Sequence, residues 1–355
     1  MNFTTEVLNW HDQCGRRNLP WHAQKNPYRI WVSEIMLQQT RVETVIPFYQ
    51  DFMRRFPDIS TLAIANLDEV MSYWSGLGYY SRARNLHQAA RRIRNEYNGI
   101  FPQTLDEVVN LPGIGRSTAG AILAFSRNER HPILDGNVKR VLSRYHAVGG
   151  PQEKQVTKKR LWELADRHTP EERVADYTQA IMDLGALICR ARNPLCGECP
   201  VSSRCLAYTQ DQIESYPARK QKKLRPIKSC RMLVLRRSDG FILLCKRPLK
   251  GIWGGLWSLP QLDHSDLDVN QYCKEMFNFE VISTNPLALL RHGFSHYELE
   301  IMPILCEITV SKTVSTHPDQ DYLWYDPLES VATGLPTAVK RIIEMMKKFD
   351  ASLSA

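Results

Sequence analysis

Leu111-Pro112-Gly113-Ile114-Gly115-Arg116-Ser117-Thr118-Ala119-Gly120-Ala121-Ile122 sets a Pro-Gly-x-Gly turn between two apolar stretches of helical character. The glycines permit close backbone approach, and the amides of Ile114 to Ser117, opening the second helix, suit a phosphate oxygen. This is a helix-hairpin-helix pattern. No side chain in such a hairpin reads base edges, so Gly113, Gly115 and Ser117 are expected to position DNA without specifying sequence; an ordinary helix-helix turn is the plain alternative. Just upstream, Thr104-Leu105-Asp106-Glu107 has the form of a capping box and predicts a short helix that stops before Pro112. Farther out, Leu67 to Trp74 and Ser81 to Tyr97 carry apolar positions three and four apart, so residues 1–215 read as mainly α.

The texture changes after Tyr216. Pro217 to Arg231 holds Arg219, Lys220, Lys222, Lys223, Arg225, Lys228 and Arg231, no acid and two prolines, which predicts a basic linker over 216–229. Short β-type runs follow at Arg231 to Leu235, Phe241 to Cys245 and Glu300 to Thr309, with Ser238-Asp239-Gly240 turning between the first two. Residues 230–347 are therefore expected to form an α+β domain, and 348–355 a frayed tail. A length of 355 residues suits two domains at about 150 residues each. With 43% hydrophobic and 24% charged residues the composition is that of a globular protein, and it excludes fibrous and disordered classes. The start lacks a basic region followed by an apolar one, and no run of about 18 uncharged apolar residues occurs, so a cytoplasmic protein without membrane association is expected. Lysine and arginine exceed acids by 46 to 38, a formal charge of +8 that attracts polyanions.

Four of the nine cysteines form Cys189-x6-Cys196-x2-Cys199-x5-Cys205. Four thiolates gathered by one loop hold either an iron-sulfur cluster or zinc, and the spacing does not separate the two; inert core thiols are the remaining alternative. Such a site leaves no open coordination position, which points to a structural role. Two carboxylates stand out. Asp135, in Pro132-Ile133-Leu134-Asp135-Gly136-Asn137-Val138, sits where an apolar run meets a new helix, as an N-cap or as a site residue. Glu34, in Ile30-Trp31-Val32-Ser33-Glu34-Ile35-Met36-Leu37-Gln38-Gln39-Thr40, is either solvated on a helix face or held in a partly apolar cleft, where desolvation raises its pKa.

The hairpin, Leu134-Asp135-Gly136-Asn137 and the four-cysteine loop together resemble the endonuclease III superfamily of DNA glycosylases. Ser33 to Thr40 and Gly76-Leu77-Gly78-Tyr79-Tyr80-Ser81-Arg82-Ala83-Arg84-Asn85-Leu86 narrow the likeness to its MutY-type adenine glycosylases, over essentially the whole chain. The resemblance implies a monomeric base-excision repair enzyme that acts on duplex DNA carrying adenine opposite 8-oxoguanine or guanine, with a 4Fe-4S cluster on Cys189, Cys196, Cys199 and Cys205. It implies that Glu34 protonates adenine N7 and then assists water, that Asp135 stays ionised and stabilises the cationic sugar, and that Asn137 organises the pocket. Trp21, Leu37 and Gln179 match positions lining the adenine pocket, with simple packing the plain alternative. Gln38 counts among the substrate- or DNA-binding residues, and Gln39 and Tyr79 match residues that fill or wedge the gap on the 8-oxoguanine side. Lyase members carry a lysine where Ser117 stands, and a serine forms no Schiff base, so a monofunctional enzyme is expected, although Lys139 nearby could form an adventitious adduct with an opened sugar.

From about Cys230 to Lys347 the chain resembles a Nudix-like domain, supported by Gly251-Ile252-Trp253-Gly254-Gly255-Leu256-Trp257 but lacking the acidic metal box, so no pyrophosphatase activity is expected. Phe294-Ser295-His296 matches a loop that probes 8-oxoguanine. Arg190, Arg192 and Arg204 are expected to face the DNA backbone. The competing readings are an endonuclease III-like lyase on oxidised pyrimidines, a silent lesion binder, and nucleotide-pool sanitation.

Overall fold

A computed structural model describes residues 2–152, 154–218, 225–262, 268–294, 296–310, 321–329 and 333–353. Its helices, in chain order, are α1 (Phe3–Cys14), α2 (Pro27–Leu37), α3 (Val42–Arg55), α4 (Ile59–Ile64), α5 (Leu67–Tyr73), α6 (Ser81–Glu96), α7 (Leu105–Val109), α8 (Arg116–Arg127), α9 (Gly136–Tyr145), α10 (Gln155–His168), α11 (Val174–Asp183), α12 (Leu206–Thr209), α13 (Val269–Phe277) and α14 (Thr337–Leu353). The strands are β1 (Ile227–Arg236), β2 (Ile242–Lys246), β3 (Trp257–Ser258), β4 (Gln261–Leu262), β5 (Phe279–Pro286), β6 (Leu290–Gly293), β7 (Glu298–Val310) and β8 (Tyr322–Tyr325). Among the described residues no helix is long and apolar enough to cross a membrane.

The chain divides into two compact units, Met1–Ile64 with Asn85–Lys222, and Ala65–Arg84 with Lys223–Ala355. The first unit is helical. Here α2 packs on α3 and α8, α8 on α11, and α11 on α1, around buried Trp31, Met36, Tyr49, Phe52 and Ile122. The capping box is present, because Thr104 Oγ1 accepts from the Glu107 amide while the Glu107 carboxylate accepts from the Thr104 amide. The turn between α7 and α8 needs its glycine. Gly113 sits at φ +78°, and a Cβ there would fall 2.7 Å from the Cβ of Asn85.

The second unit is built on an eight-stranded mixed sheet in which β3, β2, β1, β7 and β5 lie side by side. Strands β1 and β7 run parallel from Ile227 opposite Glu298 to Arg236 opposite Glu307. Apolar Leu233, Leu235 and Leu243 meet Cys273 and Phe277 of α13 in the core. Three expectations are corrected here. The linker is shorter than 216–229, since Ile227 to Ser229 already pair in β1. The tail is helical through Leu353, and its Asp350 accepts from Arg236 Nη1 at 2.7 Å. Residues 65–84 fall outside the helical unit. Ser75 Oγ donates to the Leu335 carbonyl (2.7 Å), Lys246 Nζ to Asp68 (2.9 Å) and Arg84 to the Gly254 carbonyl (2.5 Å), contacts that tie the segment to the sheet-bearing unit.

Candidate active site

Glu34 is presented by α2. Asn26 caps that helix, its side chain accepting from the amides of Tyr28 (2.9 Å) and Arg29 (3.3 Å), and Pro27 occupies the first turn, where no amide hydrogen is missed. Ile30, Trp31, Val32, Ile35 and Met36 face the core, which leaves Glu34 in the wall of a cavity of about 690 Å³. The cleft alternative is the one realised. Enclosure by protein, reinforced by the neighbouring Asp135 charge, pushes the Glu34 carboxyl up to about 8.

Asp135 lines the same cavity and is also the N-cap of α9, its Oδ1 accepting from the Val138 amide at 2.8 Å. The N-cap alternative is the one seen, on a side chain that also faces the cavity. Burial raises its pKa, while the amides of Val138 and Asn137 and the charges of Arg140 and Lys139 oppose that rise. These donors favour the charged form at Asp135, and they sit at a helix N-terminus. The surroundings therefore favour the protonated form more strongly at Glu34 than at Asp135. Ser117 holds the approach to Asp135, its hydroxyl accepting from the Leu134 amide at 3.0 Å.

Asn137 follows on the first turn of α9 and accepts from Arg140 Nη2 at 2.8 Å. The same guanidinium donates to the Gly185 carbonyl (2.6 Å) and, through Nε, to the Cys189 carbonyl (2.7 Å). Gly185 lies in a π-helical turn, Leu184–Ile188, that extends α11 toward the cysteine loop, and a Cβ on it would meet Asn137 Cβ at 2.5 Å. A glycine is thus what lets this turn close on Asn137.

Cys189, Cys196, Cys199 and Cys205 line one small cavity with Ile188, Pro194 and Tyr208. Buried Arg144 donates to Cys189 Sγ at 3.3 Å and to the Arg190 carbonyl at 2.7 Å. Burial raises the thiols of Cys196 and Cys205, and that of Cys199 to about 12, which favours their protonated form unless a bound cation displaces the protons to solvent. The four thiols share this one cavity. That donor set fits an iron-sulfur cluster.

Trp21, Leu37, Gln38, Gln39, Ser117 and Gln179 all line the cavity with Glu34, Asp135 and Asn137. Trp21 is buried edge-on against Tyr49 (5.4 Å between centroids), and Gln38 Nε2 reaches Thr118 Oγ1 at 3.4 Å. Gln39 is exposed with left-handed backbone at φ 57°. Gly113 and Gly115 stand apart from the cavity lining, in the hairpin turn. In the second unit Tyr79 is likewise left-handed (φ 50°) and half exposed, under the Arg82 guanidinium at 5.4 Å. Non-glycine residues are held in that conformation only where their surroundings enforce it. Phe294 packs on Trp253 (5.5 Å), His292 and Tyr297, and His296 is exposed beside Tyr297; Ser295 lies outside the described residues. Arg190 and Arg192 are exposed, whereas Arg204 pairs with Glu6 at 2.5 Å, a carboxylate close in space but far in sequence. Sequence reasoning missed Arg16, Asp183 and Arg140. The spacing of Gln179 and Asp183, one helical turn apart, was the one signal available for any of them.

Residues 32–167 match the HhH-GPD superfamily base excision DNA repair proteins, 189–205 the iron-sulfur binding domain of endonuclease III, and 231–345 the NUDIX domain. The adenine DNA glycosylase of Buchnera aphidicola subsp. Baizongia pistaciae is 40% identical over 98% of this chain and 97% of its own. That of Homo sapiens is 30% identical over 97% and 73%. Among solved structures, a thermostable thymine-DNA glycosylase superposes with a TM-score of 0.54 at 28% identity, covering 59% of this chain and 95% of that one. A non-covalent endonuclease III-DNA complex gives 0.51 at 20% identity, over 59% and 94%, a likeness of fold.

Proposed function

This chain belongs to the adenine DNA glycosylases of the HhH-GPD superfamily, base-excision repair enzymes with an iron-sulfur binding domain, and from that premise we propose how it acts. Its substrate is duplex DNA with adenine opposite 8-oxoguanine or guanine, and it hydrolyses the glycosidic bond without cutting the strand. What supports this reading is one cavity holding two carboxyls in unlike surroundings, Glu34 enclosed with its acid range lifted to about 8 and Asp135 capped by helix amides.

The chemistry follows from that difference. Adenine is a poor leaving group, and Glu34, protonated at neutral pH, donates to N7 so that the base departs neutral. Electron loss at the sugar is met by ionised Asp135, already fixed in place by its cap, which costs no reorganisation as the charge develops. Glu34, now a carboxylate, takes the proton of the incoming water. Asn137, Trp21, Leu37, Gln38 and Gln179 surround the flipped base, while Gln39 and Tyr79, each on left-handed backbone, fill the vacated stack. Phe294, Ser295 and His296 are assigned to contact with 8-oxoguanine. Ser117 supports the monofunctional reading, since its hydroxyl is engaged by the Leu134 amide and the position offers no amine.

Cys189, Cys196, Cys199 and Cys205 would hold a 4Fe-4S cluster, which would supply a rigid cross-link for the loop. The chain's own part is the Arg140 bridge, which joins the Cys189 carbonyl to Asn137. The test is single-turnover release on duplexes carrying adenine opposite 8-oxoguanine, adenine opposite guanine, and thymine glycol. Adenine release without strand scission, lost in Glu34→Gln, is expected; scission at thymine glycol would replace this reading with the lyase.

A further inference from the structure

Asp183 has no part in the mechanism above, yet it is fully buried at the end of α11 and is surrounded by donors. Arg16 approaches it three times, through the backbone amide to Oδ2 (2.8 Å) and through Nε (2.9 Å) and Nη2 (2.6 Å) to Oδ1. This pairing answers the buried charge. His11 Nε2 stands 3.8 Å from Oδ2, outside hydrogen-bond reach. The remaining donor to Oδ1 is Gln179 Nε2, at 2.6 Å. Arg16 and Gln179 both line the cavity that holds Glu34 and Asp135.

A carboxylate has only acceptors, whereas an amide has a donor end and an acceptor end. Turning the Gln179 amide over would set its carbonyl oxygen against Oδ1 at the same short distance, two acceptors facing each other with no proton between them. One orientation is therefore imposed, with nitrogen to Asp183 and oxygen away from it. We propose that Asp183 is a positioning residue that fixes the Gln179 carbonyl toward the cavity, making that position an acceptor selective for a base with an exocyclic amino group over one with an exocyclic carbonyl. Adenine and hypoxanthine differ in this way at the 6-position. The inference rests on the glycosylase reading and extends it from the bond that breaks to the base that is admitted.

The experiment compares single-turnover release of hypoxanthine and adenine, each opposite 8-oxoguanine in one duplex sequence, for the wild type, Asp183→Asn, Gln179→Leu and the double variant. Asp183→Asn removes the carboxylate charge and weakens the hold on the amide, so the hypoxanthine-to-adenine ratio is expected to rise by about tenfold. Gln179→Leu removes the acceptor and raises the ratio comparably, and in that background Asp183→Asn adds nothing further. A purely structural role would slow both bases together and leave the ratio alone. That outcome overturns the inference, as does a full effect of Asp183→Asn persisting without the glutamine. Where Asp183→Asn does not fold, Gln179→Leu decides, an unmoved ratio being contrary. A wild type that releases neither base overturns the glycosylase reading and this inference with it; one that releases adenine with a ratio indifferent to Gln179 overturns the inference alone.

Discussion

The carboxylate cavity and the cysteine loop each crowd like groups together, and in both, burial disfavours the charged form. They resolve the crowding differently. In the cavity the surroundings differ, since burial lifts Glu34 to about 8 while Asp135 has helix amides that favour its charged form. In the loop all four groups are equivalent in chemistry, and only a cation among them makes four thiolates tolerable. Inequality of surroundings makes a pair of acids into an acid and an anion, whereas equality of ligands makes a scaffold. Arg140 is the physical link between the two regions.

The largest effect that would break this contrast is at Glu34. Glu34→Gln keeps shape and loses the proton, so adenine release in a single turnover should fall by on the order of 10³-fold or more with duplex binding retained. A variant that still turned over near the wild-type rate would end the acid assignment. Asp135 has two duties, and two substitutions separate them. Asp135→Asn is expected to keep the cap and lose about 10²-fold in rate, while Asp135→Ala loses a similar rate and also about 1 kcal/mol of stability, read by denaturant unfolding.

The proton on Glu34 also has a signature in stability. Its folded pKa, about 8, lies above the model-peptide value of 4.5, so the folded state binds the extra proton throughout that interval. Stability should fall as pH rises from about 4.5 and level off above about 8, and activity should decline through the same upper limit. At pH 8.5 Glu34→Gln is expected to be more stable than the wild type by several kcal/mol. Flat, parallel stability profiles for the two proteins would contradict the enclosed acid. In the loop, Cys199→Ala should reduce iron and sulfide per chain and weaken duplex binding about tenfold, with Glu34 chemistry on bound duplex less affected. Arg140→Lys keeps the charge but cannot make the three bonds to Asn137, Gly185 and Cys189 at once, and a severalfold loss of rate with iron content unchanged is expected.

Much of this site was readable before any coordinates because its parts are local. A capping box, a Gly113 turn and four closely spaced cysteines each act within a short stretch, and Glu34 and Asp135 sit in distinctive runs. What stayed hidden acts at long range. Arg16 and Asp183 are 167 residues apart, and nothing in either neighbourhood announces the other. Whether Glu34 faced water or a cleft depended on α8 and α9 arriving around it. The terminal helix outran the expected fray because Arg236, far upstream on β1, engages Asp350. The sheet-forming runs were found but not their extent, as β1 recruits Ile227 to Ser229 by pairing with β7.

The division at Ile64/Ala65, Arg84/Asn85 and Lys222/Lys223 means that the backbone passes between units three times. Synthesis proceeds from the N-terminus, so Val70, Met71 and Trp74, buried in the finished protein, leave the ribosome long before the strands and Leu335 with which their segment belongs. The bond from Ser75 to Leu335 closes a span of 260 residues. The first unit must meanwhile join residues 1–64 to 85–222 across a stretch that is waiting for something else. Such ordering slows assembly and leaves an apolar segment open to wrong associations until the last helix is made. A chain stopped before β1 would therefore carry a sticky insertion rather than a free-standing catalytic half.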